Sequence, residues 1–189
     1  MTASTNTRSN FNVNRMNTAA LSTHALKHFG VGTSNAAFSA ERTTIINLLN
    51  QTLAIEMACV FRYRRHHFFA RGIQATDIAD EFLLHAEEKL DHVHRIADRI
   101  AQLGGKAEFN REALIAYSAE KYRGGRSAVE MITANLAVVK ITIDHYLNMI
   151  QRIDAKDAIT GQMLKEILAE EEVEAGALIY FLTVLLTKK

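Results

Sequence analysis

Five residues combine side chains that bind or neutralise ions with spacings that bring them together: Glu56, the pair Lys89-x-x-His92 and the pair Glu171-x-x-Glu174. Residues three apart on a helix project from one face, so each pair acts as a unit. Carboxylates and an imidazole converging from separate helices are donors that a divalent ion such as iron or zinc takes. An ammonium in the same array does the opposite, because it withdraws a donor, repels cations and gives the carboxylates a counter-charge. The chemistry to expect is either ion binding or an internally neutralised polar cluster, and Lys89 decides between them.

The elements that must carry these residues are legible in the punctuation of the chain. It has no proline, and its nine glycines fall mostly at segment ends, so long helices are permitted almost everywhere. Apolar periodicity predicts helices over about 40–71, 76–103, 127–153 and 157–187, with Ser39 or a neighbour as first cap and Gly72 and Gly104-Gly105 as stops. The second and third helices are joined through KAEFNREALIAYSAEKYRGG, which could hold one short helix. Two short links and one long one describe an all-α four-helix bundle with a long crossover between its second and third helices. Residues 41–189 form this bundle and residues 1–40 an N-terminal arm, with a short amphipathic helix expected over 16–28.

Charge and cysteine usage exclude some functions. A net charge of +1 argues against a broadly basic nucleic-acid binder, although residues 1–40 hold Arg8, Arg15 and Lys27 and no acid. That arm reads as a plain arm; a nucleic-acid-touching arm and an organellar targeting segment share its composition. No charge-free apolar run reaches ~18 residues, so no membrane association is expected. The single cysteine, Cys59, excludes an internal disulfide and fits a reducing, cytoplasmic compartment.

Counting residues spaced alternately by three and four gives the inward seam of each helix. The first runs Ile46, Leu49, Leu53, Glu56, Val60, Tyr63, His67, and the second Ile78, Phe82, His85, Lys89, His92, Ile96. The third, Ile132, Leu136, Val139, Ile143, Tyr146, Ile150, carries no charge; the fourth is Leu164, Ile167, Glu171, Glu174, Leu178, Phe181, Leu185. Five ionisable groups therefore point inward at mid-helix, where an unpartnered charge would cost several kcal/mol, so they must meet one another. A di-iron site in a bundle needs a Glu from each of two helices and a Glu-x-x-His pair from each of the other two. Glu56 meets this recipe, but the pairs are altered and the third helix offers Val139.

The chain resembles the bacterioferritin and Dps-like branch of the ferritin-like superfamily over residues 45–186. The resemblance is carried by LNQTLAIEMACVFRYRRHHFFARG, EFLLHAEEKLDHVHRIADRIAQLGG, LAVVKITIDHYLNMI and MLKEILAEEEVEAGAL. It implies that Glu56 stands where the family has its first-helix ligand, His92 its second-helix histidine and Glu171 its bridging fourth-helix glutamate. Lys89 then replaces the other bridging glutamate, Val139 the third-helix glutamate and Glu174 the fourth-helix histidine. Leu90 takes the place of the haem-ligating methionine, so haem is not expected.

The resemblance thus implies a cage subunit related to iron storage and oxidative protection, with a degraded ferroxidase centre and activity lost or strongly reduced. No metal, or one divalent ion (iron or zinc) on Glu56, His92, Glu171 and Glu174, is expected. The first alternative is an active Fe(II)-oxidising mini-ferritin using that residual site, and the second a DNA-protecting protein acting through its arm. Because the sequence stops after the fourth helix, a twelve-subunit homo-oligomeric cage is expected over a twenty-four-subunit one, with a mixed cage containing an active paralogue as a variant. Other candidates have plainer readings. His67 reads as a hydrogen-bonded core histidine, Cys59 as a packed small side chain, and Arg62, Arg64 and Arg65 as interface ion pairs. His85 finds no ligand-spaced partner outside its own helix, Asp91-x-x-His94 could hold an ion on an outward face, and Glu170 and Glu172 read as a solvated or interface edge.

Overall fold

The computed structural model describes residues 36–109 and 126–187. The helix expected over 16–28 and the one expected inside the long connection lie outside the described residues. Among the described residues there are four helices: α1 (Ala36–Gly72), α2 (Thr76–Gln102), α3 (Ala128–Ile153) and α4 (Ala158–Thr187). The expected ends hold to within a few residues, except that α1 starts before Ser39. Ser39 is therefore inside the helix and does not cap it; the surrounding Ala36, Ala37, Ala40 and Glu41 are good helix formers that give the chain no reason to stop there.

The ends are fixed by local chemistry. Gly104 takes φ +74 after α2, a left-handed conformation that glycine adopts without penalty, and the Gly104 and Gly105 N–H groups return to the Ala101 and Ile100 carbonyls at 2.9 Å. Ser127 caps α3 by accepting from the Glu130 N–H at 3.2 Å. Asp157 accepts from the Thr160 N–H at 3.0 Å at the start of α4, and Arg99 reaches across from α2 to the same carboxylate at 2.8 Å. A Cβ on Gly161 would lie 2.9 Å from the Asp154 Cα, so α3 and α4 meet at this corner more closely than any other residue would allow.

The core consists of two apolar clusters with a polar layer between them. One joins Leu49, Leu53, Ile96, Ile100, Met149, Ile153, Leu164 and Ile167; the other joins Tyr63, Phe82, Ala86, Met131, Ile132, Val139 and Leu178. Numbering through the clusters shows that α1 and α4 run one way and α2 and α3 the other. The link from α2 to the parallel α3 must return along a helix about 40 Å long, which is why that connection is the long one. Its start is pinned to α1, where the Asn50 amide donates to the Lys106 carbonyl at 3.1 Å and accepts from the Glu108 N–H at 2.8 Å.

The predicted seams hold for α2 and for most of α1 and α4, while that of α3 is turned. Leu136, Ile143 and Ile150 are only partly buried, and Asn135, Thr142 and Met149, one residue earlier, are the ones sealed inside. Because α3 has apolar residues on several sides, its period gives no sharp phase. By length and composition alone, Ala40–Gly72 is apolar enough to cross a membrane, although charged residues interrupt it. In the bundle this helix buries Leu49, Leu53, Glu56, Tyr63 and His67 against its neighbours.

Candidate metal centre

Between the apolar clusters, all five singled-out residues converge and are almost fully excluded from solvent. Lys89, 1 % exposed, donates to Glu171 and, at 2.8 Å, to Glu174 Oε2. Its ammonium joins the two α4 carboxylates that the i, i+3 spacing predicted would project together. Tyr63 of α1 donates its hydroxyl to Glu174 Oε1, and Tyr146 of α3 donates to Glu56 Oε1 at 2.7 Å. His92 Nδ1 faces Glu56 Oε2 at 3.4 Å and Glu171 Oε1 at 3.3 Å, while its Nε2 lies 2.7 Å from Glu170 Oε2. Val139 is buried beside this layer and contributes no donor.

The electrostatics follow from which charges are trapped together. Burial alone would push the Glu56 carboxyl up, but the Lys89 charge and the hydrogen bonds from His92 and Tyr146 hold it below its ordinary value. Burial opposes the Lys89 charge too, yet Glu56, Glu174 and Glu171 hold its pKa well above normal. For His92 the desolvation penalty is outweighed by Glu171 and Glu56, which bring its pKa up to about 10. Burial and the neighbouring carboxylates push the Tyr63 and Tyr146 phenols up, so both remain donors. Three buried carboxylates thus face an ammonium, an imidazolium and two phenol donors. Such a cluster is nearly balanced without an inorganic ion.

Two groups of donors could hold a metal. In the first, Glu56, His92 and Glu171 each offer an atom within 4.8 Å of the others, all buried. Glu171 Oε2 is buried with no hydrogen-bond partner and so is a spare acceptor on one of the three residues, and the carboxylate behind His92 has the geometry that orients metal-binding imidazoles. These residues fit one ion. A second ion beside it would meet the Lys89 ammonium, which already pairs with Glu171 and Glu174, and the apolar Val139, which offers no donor. The second group is His85, Glu88 and Glu174, again within 4.8 Å of one another, with Glu88 exposed.

Several plain readings stand and others need correction. His67 donates from Nδ1 to the Ala79 carbonyl at 2.7 Å in the core, and Cys59 is a buried thiol whose pKa burial pushes up, which leaves it the packed side chain expected. His66 is buried as well and pairs with Asn135 at 3.1 Å; its pKa is lowered to about 4 by burial and by Arg62 and Arg65, which outweigh that hydrogen bond. Glu170 is not a mere solvated edge: it accepts from His92 and, at 2.9 Å, from Arg95. No seam count could find it, since it lies off the stripe and reaches inward across the α2–α4 groove. His85 has a partner outside α2 after all, namely Glu174. Asp91 and His94 are both exposed and form no ion-holding group among the described residues. Leu90 is partly buried, and Glu172 is exposed.

Fold and site together define a four-helix bundle with an ionisable cluster at its centre. A family model described as a ferritin-like domain matches residues 46–185, and the chain belongs to that family. It is 30% identical over 141 residues to the nutrient stress-induced DNA-binding protein of Nostoc sp., covering 71% of this chain and 74% of that protein. It is 20% identical over 132 residues to the bacterioferritin of Desulfovibrio desulfuricans, covering 69% and 70% respectively. An X-ray structure of the D. desulfuricans bacterioferritin, described by its diiron site in different catalytic states, superposes with a TM-score of 0.70 at 19% identity, covering 77% of this chain and 82% of that one.

Proposed function

We propose that this chain is a cage-forming subunit of the iron-storage and oxidative-protection kind whose own ferroxidase centre has been converted into a fixed-charge cluster. The observation that carries this reading is Lys89, sealed inside the bundle and paired with both Glu171 and Glu174. An organic cation there does the electrostatic work that inorganic cations would otherwise do, and it does so permanently. Its amine repels Fe(II), Val139 withholds a donor, and the tyrosines keep the remaining carboxylates occupied. The subunit would then serve as shell, alone in a closed homo-oligomer or mixed with an active paralogue.

The deciding experiment is aerobic Fe(II) oxidation by the purified oligomer, followed optically against buffer. Rates near the buffer rate are expected; oxidation of several Fe(II) per subunit well above it would refute the proposal. Replacing Lys89→Glu, Val139→Glu and Glu174→His together restores the recipe and should raise the iron bound per chain, and no gain would refute the assignment of these positions. A second reading, one divalent ion on Glu56, His92 and Glu171, is favoured by the unpartnered Glu171 Oε2. Zinc or iron in the purified protein that is lost on Glu56→Gln would support it. DNA association through residues 1–40, prompted by the name of the Nostoc relative, is tested by gel shift at low and moderate salt with and without the arm.

A further inference from the structure

We infer that His85, Glu88 and Glu174 form a separate, solvent-accessible site for one divalent transition-metal ion on the α2–α4 face. The imidazole is 2 % exposed and held by ring packing against Tyr63, with centroids 5.4 Å apart. Its Nδ1 lies 2.9 Å from Glu88 Oε2, and Glu174 supplies the third donor within the same 4.8 Å group. A nitrogen and a carboxylate oxygen at that distance need a cation between them, a proton or a metal. The other ring nitrogen, Nε2, makes no hydrogen bond and faces Glu81 Oε1 at 3.3 Å. A carboxylate at that place can accept a hydrogen bond from the Nε2–H on modest side-chain adjustment, fix the tautomer and leave the Nδ1 lone pair toward Glu88 and Glu174.

One imidazole and two carboxylates with an outward opening suit zinc or Fe(II), which keep a water in the remaining position. Glu174 already accepts from Tyr63 and Lys89, but each carboxylate oxygen has two acceptor positions, so capacity remains. The opening is real: the Glu88 side chain is 44% exposed, against 2% for Glu174. The site shares Glu174 with the closed cluster and does not depend on whether iron is oxidised there.

The test is calorimetric titration of metal-stripped, full-length oligomer with Zn2+, with helicity and unfolding temperature checked for each variant. A saturable step is expected in the wild type and in His92→Ala. It should be lost in His85→Ala, clearly weakened in Glu88→Gln, and about ten- to hundredfold weaker in Glu81→Gln, as for other carboxylates that orient a ligand histidine. Should His85→Ala fail to fold, Glu88→Gln gives the same reading, because it changes a half-exposed group without altering its size. No uptake of Zn2+ by the wild type, an unchanged step in Glu88→Gln, or a step that survives in His85→Ala and vanishes in His92→Ala would overturn the assignment. The last outcome would also locate the ion in the closed triad, separating it from a failure of the ferroxidase proposal.

Discussion

His85 and His92 lie on α2 on either side of Lys89, and each ring has one carboxylate behind it and two before it. For His92 these are Glu170, Glu56 and Glu171; for His85 they are Glu81, Glu88 and Glu174. The donor chemistry is the same and both imidazoles are buried, but the surroundings differ at one carboxylate. Glu56 and Glu171 are wholly buried and share their space with an ammonium, whereas Glu88 stands half in water. Burial turns one set into a fixed array of charges, while exposure leaves the other free to exchange its cation.

The largest test of this contrast is Lys89→Met. It keeps the length of the side chain but takes the ammonium from both Glu171 and Glu174, leaving His92 beside Glu171 as the remaining cation, so unfolding in urea should show a loss of about 3–5 kcal/mol. Partial recovery on adding Glu171→Gln would identify the stranded charge as the cause. Next comes Tyr146→Phe, which removes the donor to the buried Glu56 Oε1 and should cost about 1–3 kcal/mol; a value near zero would show that Glu56 is satisfied by Lys89 and His92 alone.

A smaller effect is expected from acid. His66 has its pKa lowered to about 4 from an ordinary 6.5, so between these values the unfolded chain takes up a proton that the folded chain refuses. Its contribution is fully present above pH 6.5 and declines as the pH falls toward 4. Unfolding temperatures measured at pH 7 and pH 5 should therefore differ less in His66→Gln than in the wild type. The smallest effect belongs to the open set: without metal, Glu88→Gln should change stability by less than about 1 kcal/mol, whereas at the same added Zn2+ the wild type should gain more stability than the variant through binding to the native state. Equal behaviour with and without Zn2+ would erase the contrast.

Much of this architecture was legible in the sequence because α2 segregates charged from apolar residues sharply enough to fix its phase, and because in α4 two acids at i, i+3 interrupt an otherwise apolar seam. The i, i+3 pairs then placed Lys89, His92, Glu171 and Glu174 correctly, and Glu56 followed from the seam of α1. What stayed hidden depends on contacts between helices. Glu170 and the Glu174 side of His85 are defined across the α2–α4 groove, where spacing along one helix carries no information. Asn135, Thr142 and Met149 were missed because α3, apolar on several sides, tolerates a small rotation without breaking its pattern. Ser39 misled as a cap because nothing before it forces the helix to begin there.

The contact at Gly161 reaches further than its corner. Because α4 rests there directly on Asp154, its azimuth about its own axis is set in its first turn, about 15 Å before Glu171. A methyl group at that point would act as a wedge at the base of a lever. Even a small swing would carry both acidic side chains off Lys89 and redirect Glu174 away from His85, so one hydrogen atom's worth of room keeps the two ion-handling arrays in register.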